Sequence, residues 1–284
     1  MPQSLKAIKG RIKSIQNTRK VTNAMQMISV AKLNRVDKVL FALRPYALAL
    51  ENLLDNLVAL QPEGRHPFLV KRSPVKARAL CIITSDNSLC GLYNTIVLRV
   101  AEDFLVRYGQ ENVLVSVIGR RGYSFCKSRK IAPQSVYLGL NGRYDAATAD
   151  KVSSELIGLF LQGKADEVWC AHAHFENVVT LKPSLEKVLP LEPKRVEARQ
   201  YIVEPRVEVM LEKVALETII MKMRRVIAEG FTAEHAARVV AMKAATDNAK
   251  ELLEVLTLTR NKMRQASITQ EILEIISSAE ALRG

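Results

Sequence analysis

The chain has 284 residues, 48% hydrophobic and 25% charged, a balance that excludes wholesale disorder and leaves ample material for a buried core. Lys and Arg number 42 against 29 Asp and Glu, and the resulting charge of +13 points to a polyanionic partner: nucleic acid, a membrane surface or an acidic protein face. Aromatic residues, at 5%, are thin for stacking on single-stranded bases, and the apolar runs fall far short of the roughly 20 residues of a membrane span.

Residues 1–60 carry ten Lys or Arg against three Asp or Glu, residues 61–206 carry 21 against 15, and residues 207–284 carry 11 of each. The excess therefore belongs to the first two parts. The first part reads as one long helix, with a three-four spacing from Leu5, Ile8, Ile12 and Ile15 to Leu50, Leu54 and Leu57. Arg19, Thr22, Gln26 and Ser29 occupy four successive positions of that seam, so the apolar stripe is expected to shift to Val21, Met25 and Ile28 there. Pro45 should kink or break the helix. About 55 residues of helix would reach roughly 80 Å.

Residues 61–76, with Pro62, Gly64, Pro67 and Pro74, read as a linker. From residue 77 to about 204 the period changes. Ala77–Thr84 is a buried strand that ends in the turn Ser85-Asp86-Asn87. A helix follows over Tyr93–Tyr108, a strand over Val113–Ile118, a helix over Asp145–Leu161 and a strand over Glu167–Ala173. This alternation means an α/β domain with a largely parallel sheet. Residues 205–284 are helical again, with Val239, Met242, Thr246, Ala249, Leu253 and Leu256 in one seam and Ile268, Ile272, Ile275, Ala279 and Leu282 continuing it. Gly230 is the expected weak point. The fold class is thus α/β, a long antiparallel coiled coil of the two terminal helices with a smaller α/β domain between them.

Chemistry is sparse. The turn after the first strand holds one glycine, Gly91, and neither dinucleotide nor P-loop spacing, so a backbone cradle for pyrophosphate is not expected and no cofactor is assigned. Gly119-Arg120-Arg121-Gly122 is too short for one. Cys81, Cys90, Cys126 and Cys170 lie far apart, which argues against a disulfide framework or zinc knuckle and fits a reducing compartment. His172 and His174 share a strand face beside Cys170, but no carboxylate follows at ligand spacing, and a packed pair is the expectation. Cys90 beside Asp86 lacks a neighbouring histidine and reads as a small residue at a turn. Lys6, Lys9, Arg11, Lys13, Arg19 and Lys20 interleave with the seam as a solvated face or one turned to an acidic protein. A nucleic-acid-binding coiled-coil adaptor is the competing reading, opposed by the few aromatics and the neutral C-terminal helix; a nucleotide-dependent enzyme is opposed by the missing glycine loop.

Three sets of residues carry a resemblance. They are Ile8–Ile15 with Asn17-Thr18, Ala24-Met25 and Ala31-Lys32-Leu33; Thr84-Ser85-Asp86 with Leu89-Cys90-Gly91 and Leu189-Pro190; and Glu234–Arg238, Ala245–Ala249 and Arg264–Ile272. In order and position they resemble the gamma subunit of F-type ATP synthase over the whole chain. The resemblance implies an antiparallel coiled coil plus a Rossmann-like domain that binds no nucleotide. It implies a rotor shaft without catalytic site, cofactor or metal. The partners it implies are alpha and beta subunits, the epsilon subunit and the c ring, with no nucleic acid, and a membrane met only through the complex. By the same resemblance Met25, Arg238, Gln265, Thr269 and Glu274 match coupling positions, Ile275, Ala279 and Leu282 an apolar bearing tip, and Glu204 a position beside the c ring. Asn87, Ser88, Leu92, Tyr93, Arg260, Val239 and Ser278 depart from the family's usual residues. With no transit segment and no regulatory cysteine insertion, a peripheral subunit on the cytoplasmic face of a bacterial inner membrane is expected.

Overall fold

The computed structural model describes residues 5–60, 66–196, 204 and 206–281. Its elements, in chain order, are α1 (Leu5–Leu60), β1 (Arg78–Ile83), α2 (Tyr93–Tyr108), β2 (Val113–Ile118), α3 (Arg120–Ser128), β3 (Ser135–Tyr137), α4 (Ala146–Leu161), β4 (Glu167–Phe175), β5 (Leu181–Leu189) and α5 (Val207–Ala281). The chain divides into two compact units, residues 1–28 with 239–284, and residues 29–238.

In the first unit the two terminal helices pair. Ile8 and Ile12 are buried with Leu253, flanked by Ile15, Leu256 and Met263. Further along α1, the Thr22 hydroxyl lies 2.8 Å from that of Thr246. The partner number falls as the α1 number rises, so the pair is antiparallel. The seam does not drift as expected: Val21 and Ile28 are 57% and 58% exposed, while Thr22 is buried. Two small hydroxyl residues satisfy each other across the interface, which keeps the polar position inside without an orphaned group. Lys6, Lys9, Arg11, Lys13, Arg19 and Lys20 are all exposed.

In the second unit a five-stranded sheet has the order β3-β2-β1-β4-β5. β1 pairs in parallel with β2 and β4, β2 with β3, and β5 closes the edge antiparallel to β4. β1 is buried on both faces, as its continuous apolar run requires. Asp145 caps α4, accepting from the Thr148 amide at 2.9 Å and its hydroxyl at 2.6 Å. Residues 66–76 are anchored: Phe68 is buried and tilted against Phe160, and Arg72 donates to the Phe160 and Ala165 carbonyls. α1 runs through Pro45 as one helix. The carbonyl that loses its donor belongs to Phe41, a residue 82% exposed, so water can replace the missing bond.

Gly230 has a packing reason to stand in α5: it lets the helix touch the sheet. A Cβ there would stand 2.8 Å from Ile83 Cγ2 on β1. Gly230→Ala gains about 1 kcal/mol of helix propensity but overpacks this contact, and a net loss of about 1–2 kcal/mol is expected. Urea unfolding followed by Trp169, the chain's one tryptophan and a β4 residue, measures it. An unchanged midpoint would mean that the helix and sheet part at no cost.

Candidate functional site

In an open α/β sheet, ligands sit beyond the carboxyl ends of the strands, where the strand order reverses. Here that point lies beside β1 and β4, and the chain's own residues fill it. The first four amides of α3, the helix after β2, are all engaged: Arg120 with the Asp86 carboxylate at 3.1 Å, Arg121 with the Ser85 carbonyl at 3.1 Å, Gly122 with the Thr84 hydroxyl at 2.8 Å and Tyr123 with the Gly119 carbonyl at 3.3 Å. The Asp86 carboxylate thus takes the place a phosphate would take at a helix N-terminus. Its other oxygen accepts from the Asn141 amide at 2.7 Å. Tyr93 is fully buried, its hydroxyl donating to the Ile83 carbonyl at 3.2 Å. Cys90 is buried and accepts from the Asn94 side-chain amide at 3.1 Å, which accounts for it as part of the turn.

Over these loops lies a polar cluster on α5. Glu234 and His235 are fully buried and Arg238 nearly so. Arg238 donates to the Glu234 carboxylate at 2.8 Å, to His235 Nδ1 at 3.2 Å and to the Asn87 carbonyl at 3.4 Å. His235 Nε2 donates to the Gly142 carbonyl at 3.0 Å. Gly142 has φ of +68°, and a Cβ there would run into that imidazole, so only glycine fits. Lys32 on α1 donates to the Asn141 carbonyl at 3.2 Å. Burial pushes the Glu234 carboxyl up, against the pull of Arg238. Burial also holds His235 down to about 4; the Gly142 carbonyl opposes this, and the Arg238 and Lys32 charges reinforce it. The imidazole is therefore neutral, donating through Nε2 and accepting at Nδ1.

A second cluster joins β4, α5 and α1. Glu229 is 1% exposed, and one of its oxygens meets His174 Nδ1 at 2.9 Å and His172 Nε2 at 3.5 Å. The other oxygen accepts from Arg44 at 3.2 Å and Arg225 at 3.4 Å. Burial opposes ionisation of Glu229, but the neighbouring imidazoles of His172 and His174 and the Arg225 charge outweigh it and hold the carboxyl at about 2. The histidines thus have a carboxylate partner after all. It stands 55 residues beyond His174, beyond the reach of any local spacing.

The residues singled out from sequence fall apart into groups. Arg238 lies in the second unit, inside the polar cluster. Met25 is half-buried in the first unit. Gln265, Thr269 and Glu274 are exposed on α5 of that same unit. The Thr269 hydroxyl donates to the Gln265 carbonyl at 2.9 Å, and Glu274 accepts from Gln270 at 3.0 Å. Ile275 and Ala279 are exposed, Leu282 lies outside the described residues, and Glu204 is exposed. Every residue from 264 to 279 is exposed, including Ile268, Ile272, Leu273, Ile275 and Ile276. The departures are accommodated: Asn87 binds the Asn141 side chain at 2.9 Å, Leu92 points outward, and Arg260 donates to its neighbour Asn261 at 3.1 Å.

A family profile described as ATP synthase matches residues 4–282. The ATP synthase gamma chain of Desulfitobacterium hafniense is 38% identical over 280 residues, 98% of this chain and 99% of the relative. That of Geotalea uraniireducens is 38% identical over 287 residues, 99% of each. The chain belongs to the ATP synthase gamma-chain family. Among solved structures, a chain of the Euglena gracilis mitochondrial ATP synthase (OSCP, F1 and c-ring assembly) superposes with a TM-score of 0.69 at 15% identity, covering 98% of this chain and 94% of that one. A chain from the rotor of the same organism's enzyme gives a TM-score of 0.65 at 16% identity, covering 93% and 98%. At these identities the likeness shows a shared fold. Among the described residues no helix is long and apolar enough to cross a membrane.

Proposed function

We propose that the chain is the central-stalk rotor shaft of an F-type ATP synthase, turning with a c ring and driving conformational change in a ring of alpha and beta subunits. One observation carries the reading beyond family membership: residues 264–279 of α5 are an exposed helical stretch with five large apolar side chains and no covering element among the described residues. An apolar face of that kind calls for an external partner. A sleeve that grips it by contact area alone, with few directional bonds, lets it turn. Ile275, Ala279 and Leu282 belong to this bearing, and Gln265, Thr269 and Glu274 supply exposed polar groups beside it. Met25 lies on the α1 side. Arg238 acts from inside the second unit, holding Glu234, His235 and the Asn87 loop together. The exposed basic face of α1 suits acidic loops of a beta subunit through weak, exchangeable pairs. Glu204 lies on the side of the c ring and epsilon subunit.

The shaft performs no bond chemistry in this reading; it changes the relative free energies of conformations at sites carried by other subunits. The crevice filled by Asp86 and α5 supports a chain without a nucleotide site. A peripheral position on the cytoplasmic face of a bacterial inner membrane follows from membership of such a complex. The test is reconstitution with cognate alpha and beta subunits. The chain alone should show no ATP hydrolysis, and the assembled complex should hydrolyse ATP and rotate. Reversing Lys9, Arg11 and Lys13 to Glu should leave the isolated chain's unfolding free energy within about 0.5 kcal/mol of the parent while lowering ion pumping per ATP in the complex completed with its c ring. Hydrolysis by the isolated chain, or failure to assemble, would sink the proposal.

A further inference from the structure

β4 turns His172 and His174 to the same side of the sheet, because residues two apart in a strand share a face. α5 delivers Glu229 to that face. His172 is fully buried, yet neither ring nitrogen has a hydrogen-bond partner of good geometry: Nδ1 has none, and Nε2 is 3.5 Å from the carboxylate. A buried imidazole left in this state is costly. One ligand atom from each of His172, His174 and Glu229 lies within 4.8 Å of the other two.

We propose that His172, His174 and Glu229 bind a divalent transition-metal ion of the zinc class and so tie β4 to α5. Around a tetrahedral ion with bonds of about 2.05 Å, donor atoms stand about 3.3 Å apart. The carboxylate oxygen lies 2.9 Å from one imidazole nitrogen and 3.5 Å from the other, on either side of that value. Two imidazoles and one carboxylate select zinc, cobalt, nickel or copper over magnesium or calcium, which prefer an all-oxygen shell. Arg44 and Arg225 hold the other Glu229 oxygen, which aims Oε2 at the imidazoles in the manner of an outer shell. Their positive charge also opposes a cation. Arg225 is partly neutralised by Glu186, at 2.5 Å, and Lys182, which stands opposite His174 across the β4–β5 ladder, by Glu176, at 2.9 Å. His174 is 43% exposed, so an ion can enter on its side and complete its shell with water. Cys170, earlier on the same strand, is turned to Met223 at 3.4 Å and takes no part.

The site stands independently of the rotor reading. The experiment is a cobalt(II) titration of the full-length chain after stripping with a chelator. The expected result is the visible absorption of four-coordinate cobalt, saturating at one ion per chain, displaced by zinc and not by magnesium. His174→Ala removes a ligand whose ring is half exposed, so the fold survives, and its cobalt binding should weaken more than about tenfold. Zinc should raise the Tm of the parent chain and leave that of H174A unmoved. Absence of the four-coordinate band, a band unchanged in H174A, or a thiolate-to-cobalt charge-transfer band from the cysteines would each overturn the proposal.

Discussion

Glu229→Leu should destabilise the second unit by about 3 kcal/mol in metal-free buffer, the largest single-residue effect expected in this chain. The carboxylate is 1% exposed and is shared by Arg44, Arg225, His172 and His174, so its removal strips four groups at once. They do not suffer alike. The Arg44 and His174 side chains are 40% and 43% exposed and can turn to water. Arg225 keeps Glu186, and the Arg44 guanidinium keeps the Phe175 carbonyl at 2.8 Å. His172, with no exposure, has neither remedy. That is why the expectation sits at the lower end of the range for a broken buried pair. Urea unfolding read at Trp169 measures it, and Glu229→Gln, which retains an acceptor, should recover part of the loss. A Leu variant within about 0.5 kcal/mol of the parent would show that the arginines are not organised by Glu229 at all.

Acidification should destabilise the same unit through His235. Its folded value is about 4 against an ordinary 6.5. A depressed value means that the unfolded chain binds the proton first, so the contribution is whole above pH about 6.5 and is lost as pH falls towards 4. Two and a half units correspond to about 3 kcal/mol as an upper figure. The main cause is burial, and geometry adds to it: Nδ1 accepts from Arg238, and a proton placed there would face a guanidinium with nowhere to turn. Glu234, pushed up by burial, works in the opposite direction, because the folded chain takes up its proton more readily. The comparison that isolates His235 is therefore His235→Gln, whose amide can still donate to the Gly142 carbonyl. Its stability between pH 7 and 4 should fall less steeply than the parent's. Parallel slopes would remove His235 from the account.

The long helices and the buried strands were legible because their signals are local. β1 is a continuous apolar run, and the terminal helices carry a three-four period. α3 was missed because it is nine residues with two arginines and a glycine in its first turn. β3 is three residues long, and β5 carries Pro183 and three charged residues, as an edge strand can. In β5 the alternation Leu181, Pro183, Leu185 was the signal available. The drift proposed for the α1 seam failed because periodicity ranks Thr below Val. The paired hydroxyls of Thr22 and Thr246, 224 residues apart, reverse that ranking. The polar clusters were illegible for the same reason of distance. Arg238, Glu234 and His235 are neighbours on one helix, but Asn87 and Gly142, which fix their purpose, are 151 and 93 residues away from Arg238 and His235.

The filled crevice has a mechanical consequence. Between Glu229 and Arg238, α5 lies where a nucleotide would lie in a sheet of this order, keyed by Gly230 against Ile83 and by Arg238 against the Asn87 carbonyl. The helix is in effect a tethered ligand, present at its socket at an effective concentration no diffusing molecule could match. A smooth cylinder in a greasy socket would spin about its own axis. A helix with a glycine notch and buried polar side chains cannot spin without parting the glycine contact and breaking the Arg238 and His235 bonds to the Asn87 and Gly142 carbonyls. Twist applied to the α/β unit is therefore handed to α5 without slip at that point.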